Sequence, residues 1–170
     1  GGTEMGQGLH TKVCQVVATE LGVALERVRA TATDTSKVAN TSATAASTGA
    51  DLNGQAAAAA ARTIRERLAE FAVRRFGEGC EGGRRNGGDH NGNTHTAGHR
   101  ADPATVRFAD GQVHVGVHTI PFAELVGEAY RARVQLWSDG FYATPGLHWD
   151  AATLTGHPFH YFAYGAAVSE

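Results

Sequence analysis

The stretch GGTEMGQG at residues 1–8 sets Gly6, Gln7 and Gly8 directly before an amphipathic pattern, and these residue types suit the holding of a polar ligand. Backbone N–H groups at a helix start lack intrahelical acceptors, glycines allow close approach to the backbone, and an amide side chain both donates and accepts. The spacing excludes two common nucleotide loops. Leu9, His10 and Thr11 follow Gly8, so the third glycine of the dinucleotide fingerprint is missing, and no Gly-Lys-Ser/Thr ending marks a P-loop. Thr44-Ala45-Ala46-Ser47 precedes a second helix start, so the chain offers two helix N-termini introduced by small polar residues, a pair of walls for a phosphate-bearing ligand. Ordinary caps account for the same residues: Ser47, Thr48 or Asp51 capping the second helix contributes about 1 kcal/mol. On residue types alone both readings stand.

The histidines and cysteines add no site. His90, His95 and His99 lie in a glycine-rich stretch without matched cysteines or carboxylates, which does not build a closed tetrahedral zinc site. His114, His118, His148, His157 and His160 occupy strand-like or turn segments with no nucleophile at suggestive spacing, so no catalytic triad is argued. Cys14 falls in an apolar helical pattern and Cys80 in the glycine-rich stretch; they form neither a disulfide framework nor a metal pair, which fits a reducing cytoplasm.

The elements that must position the two loops follow from periodicity. Leu9, Val13, Val16, Val17 and Leu21 share one face at helical spacing, and Gly22 follows as a stop. Glu26 to Thr33 alternates Val28, Ala30 and Ala32 against Arg27, Arg29 and Thr31 and predicts a strand. Residues 34–51, rich in Ser, Thr, Asn and Asp, read as an ordered loop. From about Ala50 to Arg74 the period is helical again, with Ala57, Ala61, Ile64, Leu68, Phe71 and Ala72 on a stripe. The alanines at 56–61 keep this helix thin enough for close backbone approach, though alanine also simply favours helix.

Between 77 and 98 lie eight glycines and almost no apolar residue, so 77–104 reads as a flexible Gly/His-rich insertion. TVRFADGQVHVG at 105–116 predicts a hairpin turning at Asp110-Gly111. Pro121 takes a first-turn position in a helix over 121–134. The aromatic, alternating segments 134–142 and 158–170 predict strands, with Thr144-Pro145-Gly146 in the connection. The class is α+β, helices packed on a mixed β-sheet. Residues 1–76 form a cofactor-loop region, 77–104 an insertion, and 105–170 a strand-rich continuation of the same domain.

A formal net charge of −2 without a basic stripe argues against a nucleic-acid partner, and no apolar run approaches the roughly 20 residues of a membrane span. The chain is expected to be soluble and cytoplasmic. Both termini fall inside patterned segments, so a piece of a longer polypeptide is expected.

Four segments in order, GGTEMGQGLHTKV at 1–13, ATDTSKVANTSATAASTGADLNGQA at 32–56, GFYATPGLHWD at 140–150 and PFHYFAYGAAVSE at 158–170, resemble the molybdenum-binding subunit of bacterial xanthine dehydrogenases, of the xanthine oxidase family. The resemblance covers nearly the whole chain outside the insertion. It implies a molybdenum-molybdopterin cofactor that hydroxylates a purine, hypoxanthine or xanthine, toward urate with water-derived oxygen. Electrons would leave through iron-sulfur clusters and FAD on a partner subunit or domain, in a hetero-oligomer.

The resemblance further implies that Met5, Gly6 and Gln7 line the pterin and molybdenum site and that Thr44, Ala45, Ala46 and Ser47 approach it from the other loop, with Gln7 near the metal and Ala46 closest to it. It implies no catalytic residue within the chain. The family's glutamate base sits in a Gly-Glu-Pro-Pro motif expected beyond Glu170, and further substrate-gripping Glu, Arg and Phe residues are expected before Gly1. The isolated chain is therefore expected to be inactive. A molybdenum hydroxylase of aldehydes or other N-heterocycles, and a non-catalytic anion-binding module, are the alternatives.

Overall fold

Helix α1, Leu9–Leu21, ends where its sequence stops supporting it. Gly22 is left-handed (φ 63°, ψ 35°), and the amides of Gly22 and Val23 bond back to the carbonyls of Thr19 (3.3 Å) and Ala18 (3.0 Å), a Schellman closure. Gly22 is also where α1 meets the sheet, since a methyl there would collide with the Phe108 carbonyl and the Ala109 nitrogen. A computed structural model describes residues 2–31, 36, 44–45, 48–76, 102–160 and 167–169 of this chain.

The order after α1 is a 3₁₀ turn Leu25–Arg27, α2 Gly49–Phe76, a second 3₁₀ turn Pro103–Thr105, β1 Arg107–Ala109, β2 Gln112–Val115, β3 His118–Pro121, α3 Phe122–Arg131, β4 His148–Asp150 and β5 Thr155–His157. Strands β1, β2 and β3 form an antiparallel meander in which Phe108 faces Val113 and Val113 faces Ile120. Asp110 (φ 52°) and Gly111 (φ 70°) both take positive φ between Ala109 and Gln112, the two-residue turn whose twist matches paired strands.

The core lies between this meander and two helices. Leu68, Ala69, Ala72 and Val73 of α2 pack with Val106, Phe108, Val113, Val115 and Ile120, and with Leu125 and Ala129 of α3. Leu68, Val113 and Leu125 are fully buried, each contributing about 1.5–3 kcal/mol by removal of apolar surface from water. A short relay joins α1, sheet and α3: the Gly111 amide donates to the Gly22 carbonyl (2.7 Å) and the Phe122 amide to the Gly111 carbonyl (2.8 Å).

The α+β expectation holds, with both helices, the hairpin and α3 close to their expected bounds. Four details differ. The strand expected from Glu26 opens instead as the 3₁₀ turn Leu25–Arg27 and continues without strand pairing through Thr31. The strand expected at 134–142 is an extended segment lying along α2, where Arg67 Nη1 donates to the carbonyls of Trp137 (2.9 Å) and Gln135 (3.4 Å). A guanidinium satisfies carbonyls that a neighbouring strand would otherwise pair.

Residues 158–160 are not strand, and 161–166 lie outside the described residues. The strands that do form there, β4 and β5, pair antiparallel, as does every strand pair among the described residues, in place of the mixed sheet expected. The insertion at 77–101, with Cys80, His90, His95 and His99, also lies outside the described residues.

Candidate functional site at the helix N-termini

Helices α1 and α2 run parallel. Leu9 lies against Gly49, Val16 against Gly54, and Glu20 pairs with Arg62 at 2.7 Å, so residue numbers rise together along both. Parallel packing brings both N-termini to one end, where the partial positive charges of the two dipoles lie side by side. The stretch 2–8 meets Thr44, Ala45 and Thr48 there. The Thr3 amide donates to Thr44 Oγ1 at 2.8 Å across 41 residues of sequence, and a methyl on Gly49 would touch both Thr44 and Leu9.

The two N-termini are chemically unlike. Gly8 opens α1 in the left-handed region (φ 73°, ψ 25°) and has no side chain to cap it. Glu4 takes that role: Oε1 accepts from the Gly6 amide (2.9 Å) and the Gly8 amide (3.0 Å), and Oε2 from the His10 amide (3.1 Å). The His10 amide above all, with help from Gly8 and Gly6, holds the Glu4 carboxyl below its ordinary value despite exposure. Gln7 closes a small ring, its Oε1 accepting from the Met5 amide (2.6 Å) and its Nε2 donating to the Thr3 carbonyl (2.9 Å).

At α2, intrahelical bonding begins with the Leu52 amide on the Thr48 carbonyl (2.8 Å), which leaves the amides of Gly49, Ala50 and Asp51 without an acceptor inside the helix. Thr48 turns its hydroxyl to the Ala45 carbonyl (2.8 Å), and Asn53 its amide to the Gly49 carbonyl (2.9 Å). Asp51 carries one buried oxygen, Oδ2, that accepts no hydrogen bond among the described residues.

Of the residues singled out by sequence, Met5, Gly6, Gln7, Thr44 and Ala45 come together at this end; Ala46 and Ser47 lie outside the described residues. Glu4 was missed, because a carboxylate four residues before the N-cap position is not among the usual cap signals. Behind the bend a cavity of about 320 Å³ is lined by Gly2, Leu9, His10, Asn53, Ala56 and Gly140, among others. Gly140 presses on the backbone of Ala56 and Ala60, the close approach that the alanine run permits. A larger cavity, about 860 Å³, lies at the opposite end of α1 around Gly22, Phe108 and Phe122 and contains none of the singled-out residues.

Among the described residues no three or more His, Cys, Asp or Glu side chains gather as a metal-ligand group. The donor set fits a pterin carrier: amides at the start of α2 suit an anionic arm, and the orphaned Asp51 oxygen suits a ring that offers N–H donors.

The model of a family described as molybdopterin cofactor-binding domain matches residues 1–170. The chain is similar to the xanthine dehydrogenase/oxidase of Rattus norvegicus, 36% identical over 170 residues, covering 100% of this chain and 10% of that protein. Similarity extends to the xanthine dehydrogenases of Oryza sativa subsp. japonica, 35% identical over 100% of the chain and 9% of the relative, and of Dictyostelium discoideum, 34% identical over 100% and 10%. The chain thus spans about a tenth of the length of these curated relatives.

Proposed function

This chain belongs to the molybdopterin cofactor-binding domain family, and from that premise we propose that it forms a cofactor-cradling part of a larger molybdenum hydroxylase of the xanthine dehydrogenase type. The observation that carries the reading is the Thr3–Thr44 hydrogen bond, which joins the two sequence-predicted loops at the paired N-termini of α1 and α2. Met5, Gly6 and Gln7 hold the cofactor from one side, and Thr44, Ala45, Ala46 and Ser47 from the other. When bound, the cofactor supplies the oxidation of an electron-poor carbon; the chain supplies placement and electrostatics.

Each residue contributes a specific interaction. Gln7 has an amide with two donor and two acceptor positions, so it can bond a ligand while keeping its bonds to Met5 and Thr3. The start of α2 offers three amides to an anionic group. Glu4 is unsuited to act as a base, because its carboxylate already accepts from three amides and its proton affinity is reduced. No residue of this chain is assigned an acid-base role.

The substrate in this reading is a purine, hypoxanthine or xanthine going to urate, with electrons passed to iron-sulfur and FAD groups elsewhere in the same enzyme. The support is that relatives similar over the whole chain are xanthine dehydrogenases. The test uses the complete enzyme. Gln7→Ala is expected to lower both molybdenum content and the rate of urate formation from xanthine, followed by ultraviolet absorbance. Wild-type metal content together with a wild-type rate refutes the assignment.

A further inference from the structure

We propose that Glu4 is a positioning residue for the bend that carries Gln7, acting through the amides of Gly6, Gly8 and His10; the inference rests on the cofactor reading above. Gly8 leaves α1 without a cap of its own. The Glu4 carboxylate supplies one from four residues upstream, and because its contacts fall on Gly6, Gly8 and His10 it fixes the chain on both sides of Gln7.

With that backbone fixed, Gln7 reaches the Met5 amide and the Thr3 carbonyl, and the Thr3 amide passes the constraint to Thr44 on the facing bend. The sequence of constraints runs from one carboxylate to the contact between the two loops. A negative charge at a helix N-terminus is itself favourable, so the cap is strongest when Glu4 is ionised.

The chemistry distinguishes close substitutes. Glutamine keeps the length but turns one acceptor oxygen into an NH₂ group, which faces an amide donor wherever it is placed, so all three contacts cannot survive. Aspartate keeps the charge and both acceptors but is one methylene shorter, and retains part of the set.

The experiment compares Glu4→Gln, Glu4→Asp, Gln7→Ala and the Glu4→Gln/Gln7→Ala double variant in the complete enzyme, reading molybdenum per polypeptide by elemental analysis and the thermal midpoint. Glu4→Gln is expected to lose about fivefold in metal occupancy, the order that loss of a helix cap produces in an equilibrium, and Glu4→Asp is expected to lose less. The double variant is expected to lose no more than Gln7→Ala alone, because residues acting through one element are not additive.

Wild-type occupancy in Glu4→Gln, or losses that multiply in the double variant, overturns the inference. Should Glu4→Gln not accumulate as folded protein, Glu4→Asp decides in its place: partial metal loss at an unchanged midpoint supports the proposal, and unchanged occupancy overturns it. If Gln7→Ala alone keeps both wild-type metal content and a wild-type rate of urate formation, the cofactor reading fails first and this inference with it. If Gln7→Ala loses metal while Glu4→Gln does not, only the present inference fails.

Discussion

Replacing Gly22 by alanine tests how α1 is held against the sheet. The native φ of 63° costs a residue with a Cβ about 1–2 kcal/mol. The new methyl would lie 2.5 Å from the Phe108 carbonyl oxygen and 2.6 Å from the Ala109 nitrogen. Neither atom can yield, because β1 is paired with β2 from Arg107 to Ala109. The C-terminus of α1 must lift instead, breaking the 2.7 Å bond from the Gly111 amide to the Gly22 carbonyl, a further loss of about 0.5–1.5 kcal/mol.

The expected destabilisation is about 1.5–3.5 kcal/mol in total, or roughly 3–14 °C in thermal midpoint for a unit of this size. Gly146→Ala is the control. Its φ is also positive, 69°, but a methyl there meets nothing within 4 Å, so only the backbone cost of about 1–2 kcal/mol applies. Thermal unfolding of the two variants, followed side by side by circular dichroism, isolates the contact. Equal destabilisation in both would refute the wedge between Gly22 and β1.

Other perturbations have equally definite outcomes. Leu68→Ala empties a fully buried position at the centre of the core and is expected to cost about 3–5 kcal/mol, read as a lowered denaturant midpoint at unchanged slope. Gly140→Ala drives a methyl into the backbone of Ala56 and Ala60, and is expected to detach the 134–140 segment, read as faster proteolysis there while the β1–β3 meander stays protected. Asp150 is held below its ordinary value chiefly by the Thr153 hydroxyl, then by the amides of Ala152 and Thr153. The stability it lends the β4–β5 turn is therefore present above the ordinary aspartate value and lost as pH falls through the lowered native one. Amide exchange at Ala152 and Thr153 should rise in that acid window in the wild type, and an Asp150→Asn variant that shows the same rise contradicts the assignment.

Much of this was legible in the residues, for physical reasons that differ by element. The stripe from Leu9 to Leu21 and its Gly22 stop carry both a period and a terminator, and the hairpin at Asp110-Gly111 carries the residue pair that its turn demands. The alternation at 26–33 and 134–142 misled because a period of two reports sidedness, not pairing. At 134–140 the partner is α2 and its Arg67, and Trp137 and Phe141 remain exposed. Strand β3, four residues ending at Pro121, was too short and too close to a helix start to register.

At the site, Gly6, Gln7 and Thr44 announced themselves as loop residues before helices. That the two loops meet was one of two open readings on residue types and was favoured by the family resemblance; it depends on α1 and α2 packing in parallel, a property of tertiary contacts such as Glu20 with Arg62. Glu4 was invisible for a related reason. Its role exists only once the chain has folded back on Gly6, Gly8 and His10.

The central claim is that the stretch at 5–8 and the second loop at Thr44, joined through Thr3 and Thr44, cradle a molybdenum-bearing group. An anomalous-scattering map of the crystallised complete enzyme, collected at the molybdenum edge, tests it most directly. The account predicts a peak beside the Gln7 side chain and the backbone of Thr44 and Ala45; a peak remote from both, or one at the large cavity around Gly22 and Phe122, would contradict it.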